Sequence, residues 1–326
     1  MWKLAIGPLV LTVLPAFVEA KETRYLTGSA ADVETKLSGP ALLLGGGSND
    51  ETDAFQWMVD QVRGCSDCSA KLDVVVLRCS GGDEWNEFIY ALNGVDSVES
   101  LVITNRSDAN SAAVEQTIRD AEIVFFAGGD QCNYVRYFKG TGVEKGVEHV
   151  YEKGGGIGGT SAGLAIQGSA VYDACVKESA YSPQALANPY YSDVSFTHDF
   201  FNWKHMEATI TDTHLSRRDR MGRFLVFIAR QISDAKYEQV LGIGVDEGTS
   251  VAVDRNGQAR VLGDGAAYFV LADHKPEVCR PGMPLTYSNF KIWKRTNDGT
   301  FDLKGRTADG HYLLNVEKGK MTSNPY

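Results

Sequence analysis

Residues 154–168 read GGGIGGTSAGLAIQG and hold seven of the chain's 34 glycines. Such glycine density suits a flexible link, a phosphate cradle or a sharp turn that presents one side chain. Within it, Gly159-Thr160-Ser161-Ala162-Gly163 has the form G-x-S-x-G. In that motif a serine sits on a tight turn between a strand and a helix, where glycines prevent clashes. The surroundings predict that geometry: Lys153 to Gly158 can end a short strand, and Ala162 to Gln167 can begin a helix. A serine hydroxyl becomes a nucleophile only when a base removes its proton, and the amides of a helix start can face an oxyanion.

Working outward, the sequence before this turn predicts a parallel sheet. Ala41 to Leu44 reads as a buried strand running into Gly45-Gly-Gly47, with Ser48, Asn49 and Asp50 available to cap a helix. Ala54, Phe55, Met58, Val59 and Val62 give that helix an apolar stripe at helical spacing. Asp73 to Leu77, Ser100 to Ile103 and Ile123 to Phe126 are further strands, separated by helices around Glu84 to Leu92 and Ser111 to Arg119. Strands that alternate with helices, without hairpin turns between them, require crossovers and a parallel sheet. Open sheets of this kind hold ligands beyond the carboxyl ends of their strands. Gly45-Gly-Gly47, Gly128-Gly129-Asp130-Gln131 and the opening run all fall at such ends.

Periodicity fades from Asp173 to about Glu207, where Tyr, Ser, Asn and Pro accumulate. A long segment of this kind inside a compact domain is read as a lid over a site. Past Leu241 short strands take over, and Ser250 to Asp254 and Gln258 to Leu262 flank the hairpin signal Arg255-Asn256-Gly257. Ala267 to Leu271 and Leu285 to Trp293 continue this β-rich end.

The first twenty residues, MWKLAIGPLVLTVLPAFVEA, have the form of a secretory signal peptide: Lys3, an apolar run from Leu4 to Val18, and Val18-Glu19-Ala20 for cleavage. Secretion to an extracellular or periplasmic space is therefore expected, with residues 21–272 as the catalytic α/β domain and 273–326 as its β-rich extension. Lysine and arginine total 32 against 42 acidic residues, a net charge of −10, which argues against a nucleic-acid partner. After the signal no stretch is apolar enough to span a membrane. Six cysteines suit a compartment where disulfides form, and Cys65-Ser-Asp-Cys68 is either a small surface disulfide or two free thiols. A structural zinc site needs four ligands, and no second such pair exists. Asn105-Arg-Ser107 is a glycosylation sequon if the host is a eukaryote.

A candidate base lies fifty-three residues after the serine, in Asp212-Thr-His214-Leu-Ser-Arg-Arg218-Asp-Arg220-Met-Gly-Arg223. His214 can act as general base or simply cap a helix, and Arg223 can pair with Asp219 at helical spacing. Four arginines between 217 and 223 in an acidic chain nevertheless suit an anion, because the guanidinium fork binds carboxylates in bidentate fashion.

Four ordered motifs, Gly128-Gly-Asp-Gln131, Gly159-Thr-Ser-Ala-Gly163, Asp212-x-His214-x3-Arg218-x-Arg220-x-Gly-Arg223 and Gly242-Ile-Gly-Val-Asp-Glu247, resemble those of cyanophycinases. These are serine peptidases related to α-aspartyl dipeptidase (peptidase E). The resemblance covers about residues 40 to 272. It implies a flavodoxin-like αβα sandwich, as in class I glutamine amidotransferases, and an exopeptidase that cuts the β-Asp-Arg polymer cyanophycin. By position it makes Ser161 the nucleophile and His214 the base. Gln131, Asp212, Arg218, Arg220 and Arg223 fall in or around the substrate site, and Gly128, Gly129 and the amide of Ala162 face the oxyanion. The family's orienting acid is a Glu about eighteen residues after the serine; here Ser179 stands there, and Glu178 is preferred over Asp173 and Asp193. Thr213 replaces the Gln common between the Asp and His of the third motif, which bears on substrate preference.

No metal or organic cofactor is required by this chemistry. The expected partners are a peptide substrate, cyanophycin or other α- or β-aspartyl peptides, and at most a second copy of the chain in a homodimer. Two rival readings are an α/β-hydrolase esterase using His274 or His311, and a non-catalytic binder of acidic peptides.

Overall fold

The computed structural model describes residues 22–48 and 52–326. The signal-peptide reading of residues 1–20, and the capping assigned to Asn49 and Asp50, lie outside these residues. The chain opens with β1 (Thr23–Gly28), β2 (Ala41–Gly45), α1 (Thr52–Arg63), β3 (Leu72–Arg78), α2 (Asn86–Tyr90) and β4 (Val95–Val102). It continues through α3 (Arg106–Ala109), α4 (Ala112–Asp120), β5 (Ile123–Phe126), α5 (Gln131–Phe138) and α6 (Gly142–Glu152). The opening run of the sequence then forms β6 (Gly156–Thr160) and α7 (Ala162–Ala165).

Strands β4, β3, β5, β6 and β2 lie side by side and are mutually parallel. Their residues alternate between two cores, as a sheet buried on both faces requires. Ala41 and Leu43 of β2 face α1 and α2, with Phe55, Met58, Val59 and Val62 from the predicted stripe. Leu42 and Leu44 face the other way, onto Val114 and Ile118 of α4 and Val143, Val147 and Val150 of α6. The sheet is thus an α/β unit with helices on both faces. The helix expected from Glu84 shrinks to the short α2, and Asn105 of the sequon caps α3, its side chain accepting from Asp108 N at 2.9 Å.

After α7 come β7 (Ala170–Tyr172), α8 (Ser182–Ala187), β8 (Phe196–His198), β9 (Thr209–Thr213), α9 (Met221–Ser233) and β10 (Val240–Val245). The last strands are β11 (Thr249–Val253), β12 (Gln258–Gly263), β13 (Ala267–Ala272), β14 (Tyr287–Arg295), β15 (Thr300–Asp302), β16 (Tyr312–Glu317) and β17 (Lys320–Met321). The segment read as a lid therefore carries two short elements, with Pro183 inside the first turn of α8. Antiparallel strands are not confined to the C-terminus. Strands β11, β12 and β15 extend the parallel sheet beyond β2, and β1 pairs antiparallel with β4 at its other edge, while the remaining strands build a second sheet in the order β17-β16-β14-β13-β10-β9-β7-β8. Phe269 and Trp293 of that sheet pack toward the first, and α9 covers its outer face through Phe224 and Ile228. Strands β9 and β10 are parallel, and the chain crosses from β10 to β11, hence from one sheet to the other, through Asp246-Glu247-Gly248.

Candidate active site

The carboxyl ends of β2, β6, β9 and β10 meet where the two sheets abut. The turn after β6 is as tight as G-x-S-x-G requires: a Cβ on Gly159 would lie 2.4 Å from Gly163 O, so only glycine fits there. Ser161 itself adopts φ 52° and ψ −113°, a conformation non-glycine residues rarely hold unless the surroundings impose it. The imposed contact is a hydrogen bond from Ser161 N to Gly45 O at 3.0 Å. His214, just past β9, also has a positive φ of 50°. Its amide donates to Gly46 O at 3.0 Å, and Gly47 O accepts from Gly248 N at 3.0 Å. The three glycines that end β2 therefore anchor the backbones of three separate loops.

These loops deliver one chain of side chains. Ser161 Oγ lies 2.8 Å from His214 Nε2, and His214 Nδ1 lies 2.6 Å from Glu247 Oε1. An ionised carboxylate can only accept, so Nδ1 carries the ring proton and Nε2 is the acceptor for the serine hydroxyl. His214 is 5% exposed. Burial pushes its pKa below the usual imidazole value; Arg218 and Arg220 add to this, and the bond and charge of Glu247 oppose it. The neutral form, which can take a proton, is thereby favoured near neutrality. Hydrogen bonding to His214 holds the Glu247 carboxyl below its ordinary range.

The orienting carboxylate is therefore Glu247 and not Glu178, which is a correction to the sequence reading. Glu178 lies on the exposed segment after Ala174 and lines the cleft instead. Asp173 is committed to Thr197 Oγ1 at 2.9 Å and to Cys175 N at 3.0 Å, and Asp193 accepts from Ser192 Oγ at 3.3 Å. Glu247 closes the motif Gly242-Ile-Gly-Val-Asp-Glu247, and its signal was a carboxylate at a strand end followed by glycine. The esterase alternative fails geometrically, because His274 pairs with Asp273 and His311 packs on Trp293, while Ser161 meets His214.

A cleft of about 310 Å³ opens at Ser161, lined by Gly129, Asp130, Gln131, Ala162, Lys177, Glu178, Asp212, Thr213 and the three arginines 218, 220 and 223. Gly128 adjoins it, with the place of its absent Cβ 3.6 Å from Ser161 Cβ. The arginines are not equivalent. Arg223 gives Nε and Nη2 to the two oxygens of Asp212 at 2.8 and 2.6 Å, and Nη1 to Ser179 Oγ at 2.7 Å and Ala180 O at 3.1 Å. It also lies over the rings of Tyr172 and Phe227. Fully engaged and buried, Arg223 shapes the wall with Asp212 and offers no free fork; the pairing with Asp219 does not occur. Arg220 uses Nη1 on Thr213 O at 2.9 Å and Thr213 Oγ1 at 3.2 Å. The same Nη1 lies 4.0 Å from Asp212 Oδ1, Nε and Nη2 donate to no acceptor among the described residues, and burial lowers the pKa to about 10 against the opposing charge of Asp212. Arg218 is half exposed, with Nε 3.8 Å from Glu247 Oε1.

Both short-range and long-range disulfides are present. Cys65 and Cys68 are bonded, as one reading of their spacing expected, and Cys132 joins Cys175 across a separation of 43 residues.

Cyanophycinases of Nostoc sp. and of Trichormus variabilis are each 26% identical to this chain over 225 residues, which cover 68% of it and 70% of theirs. The solved structure of a peptidase from an acI-B1 Actinobacterium superposes over 82% of this chain and 98% of its own with a TM-score of 0.52, at 15% identity, which is a likeness of fold. The sequence profile of peptidase family S51 matches residues 87–261, more than half of the chain. The chain belongs to peptidase family S51 and is a serine peptidase of that family.

Proposed function

We propose that this peptidase is a secreted exopeptidase that hydrolyses β-aspartyl bonds, those of β-Asp-Arg units in cyanophycin, through an acyl-enzyme on Ser161. The observation that carries the reading is the continuous relay Ser161–His214–Glu247 opening onto a cleft lined by Arg218 and Arg220. His214 Nε2 takes the proton of Ser161 Oγ as the oxygen attacks the scissile carbonyl carbon. The carbonyl electrons move onto oxygen, which faces the amide of Ala162 and the Gly128-Gly129 loop. Collapse of this intermediate expels the amine, and His214 returns the proton to it. Water then loses a proton to His214, attacks the ester, and Ser161 leaves with that proton restored.

The charges of the cleft support a substrate bearing both signs. Arg220 and Arg218 suit the carboxylate of an aspartyl unit, while Asp130 and Glu178 suit a guanidinium or ammonium. Glu178 thus belongs to substrate recognition. The similarity to cyanophycinases supports the β-Asp-Arg assignment. A second reading, hydrolysis of other α- or β-aspartyl dipeptides, is favoured by Thr213, whose short side chain is held by Arg220. Secretion is supported by the apolar N-terminus and by two disulfides.

The test is incubation of the enzyme and of Ser161→Ala with purified cyanophycin and with synthetic β-Asp-Arg, β-Asp-Lys and α-Asp peptides, followed by mass analysis. Release of β-Asp-Arg by the wild type alone supports the assignment. Preferential cleavage of α-Asp peptides selects the second reading.

A further inference from the structure

We propose that the Cys132–Cys175 disulfide is a positioning element of the substrate cleft, such that its reduction weakens substrate capture and leaves the chemistry at Ser161 intact. This rests on the reading above that the cleft beside Ser161 holds the substrate.

The bond joins the two walls of that cleft. Cys132 immediately follows Gln131 in the first turn of α5, behind the capping Asp130, and both neighbours line the cleft. Cys175 immediately precedes the segment that supplies Lys177, Glu178 and Ser179 to the opposite wall. Residues 176–179 are all exposed, with Val176 at 55%. They bridge two buried anchors. One is Asp173, tied to Thr197; the other is Ala180, whose amide donates to Tyr172 OH at 2.7 Å. Between the anchors, the polar links to the rest of the molecule are few. Arg136 Nη2 donates to Cys175 O at 3.2 Å across an exposed surface, and Arg223 Nη1 donates to Ser179 Oγ at 2.7 Å.

A short exposed segment with so little apolar burial samples many conformations unless it is tethered. The disulfide holds its Cα 5.0 Å from that of Cys132, whose side chain is buried in a helix. Ordering a wall before substrate arrives removes that entropic cost from binding. The catalytic relay does not depend on this tether. The amides of Ser161, His214 and Gly248, the last beside Glu247, donate to the carbonyls of Gly45, Gly46 and Gly47, outside the tethered segment. Loss of the tether is therefore read in substrate affinity.

Reduction by a dithiol reductant balances simply: the reductant gives two electrons and two protons, the S–S bond becomes two thiols, and the reductant leaves as its own disulfide.

The test compares wild type, wild type treated with dithiothreitol after folding, Cys132→Ala/Cys175→Ala, and Cys65→Ala/Cys68→Ala as a control for the other disulfide. Each is assayed for KM and kcat on a β-Asp-Arg peptide and for the rate of fluorophosphonate labelling of Ser161. The expected result is a KM raised roughly tenfold in the reduced enzyme and in the 132/175 variant, as loss of preorganisation predicts. The kcat and labelling rate stay unchanged, and dithiothreitol has no further effect on the 132/175 variant. The reduced wild type answers the question even if that variant folds poorly. An unchanged KM overturns the proposal, as does a parallel fall of kcat and labelling. A wild type that labels at Ser161 but releases no dipeptide overturns the substrate reading as well.

Discussion

The imidazole of His214 occupies the space that a side chain at position 47 would need. A Cβ on Gly47 would lie 2.2 Å from His214 Cε1 and 2.6 Å from Nε2. Gly47 also holds φ 103°, so both its backbone and its surroundings exclude other residues. The consequence is that one glycine sets where the base stands relative to Ser161.

Gly47→Ala must displace the ring. A displacement of about 1 Å costs on the order of 100-fold in rate. We expect kcat on a β-Asp-Arg peptide to fall by about that factor while KM changes little, because the cleft walls do not involve this residue. Steady-state kinetics beside a circular dichroism spectrum checks the prediction; a kcat within a few-fold of wild type contradicts it.

Glu247 and Glu178 should separate cleanly. Glu247→Gln keeps the size of the side chain but removes the charge and exchanges one acceptor oxygen for an amide donor, so the Nδ1-protonated tautomer of His214 is no longer enforced, and kcat should drop on the order of 10⁴-fold, as for orienting acids in other serine triads. Glu178→Gln should leave kcat near wild type and raise KM for substrates with a basic side chain. Equal losses of kcat in the two variants would contradict the assignment.

The pH dependence follows from the burial of His214. Its neutral form is the active one, and its pKa lies below the ordinary imidazole value of 6.5. Activity should therefore persist as pH falls through 6.5 and be lost only at more acidic pH, where His214 takes up a proton. Arg218 contributes to the lowering, so Arg218→Gln should move the midpoint upward. A kcat/KM profile over the acidic range tests both; a wild-type midpoint above 7 would contradict the first.

Much of this site was legible in the sequence, and the parts that were not share a cause. Apolar runs ending in glycine mark β2 and β6, and the G-x-S-x-G pattern locates Ser161, because each depends on neighbours in the chain. His214 stands out beside a cluster of arginines. Glu247 is different. It lies where the chain passes from β10 to β11, and its contact with His214 is made by two sheets abutting, which no local period reports. The same holds for Arg223: helical spacing points to Asp219, yet tertiary packing delivers Asp212 at 2.6 Å. Cys132 and Cys175 are 43 residues apart and carry no spacing signature, unlike Cys65 and Cys68.

Arg223 and Arg220 should fail in different ways. Arg223→Met strands the buried Asp212 carboxylate, and removal of one partner from a buried pair costs about 3–5 kcal/mol. The melting temperature should fall accordingly. Arg220→Lys keeps a positive charge but loses the planar Nε and Nη2 donors, so KM for aspartyl substrates should rise with little change in melting. Differential scanning calorimetry with steady-state kinetics distinguishes them; a marked loss of stability in Arg220→Lys would contradict its role as a ligand for substrate.

The central claim is that Ser161 carries the acyl group of a β-aspartyl substrate. It is tested most directly by rapid acid quenching during turnover of a β-Asp-Arg peptide, followed by mass analysis of the proteolytic fragment that contains residue 161. An acyl adduct on Ser161 is expected in the wild type and is expected to be absent, together with all product, in Ser161→Ala. Undiminished product release by Ser161→Ala would contradict it.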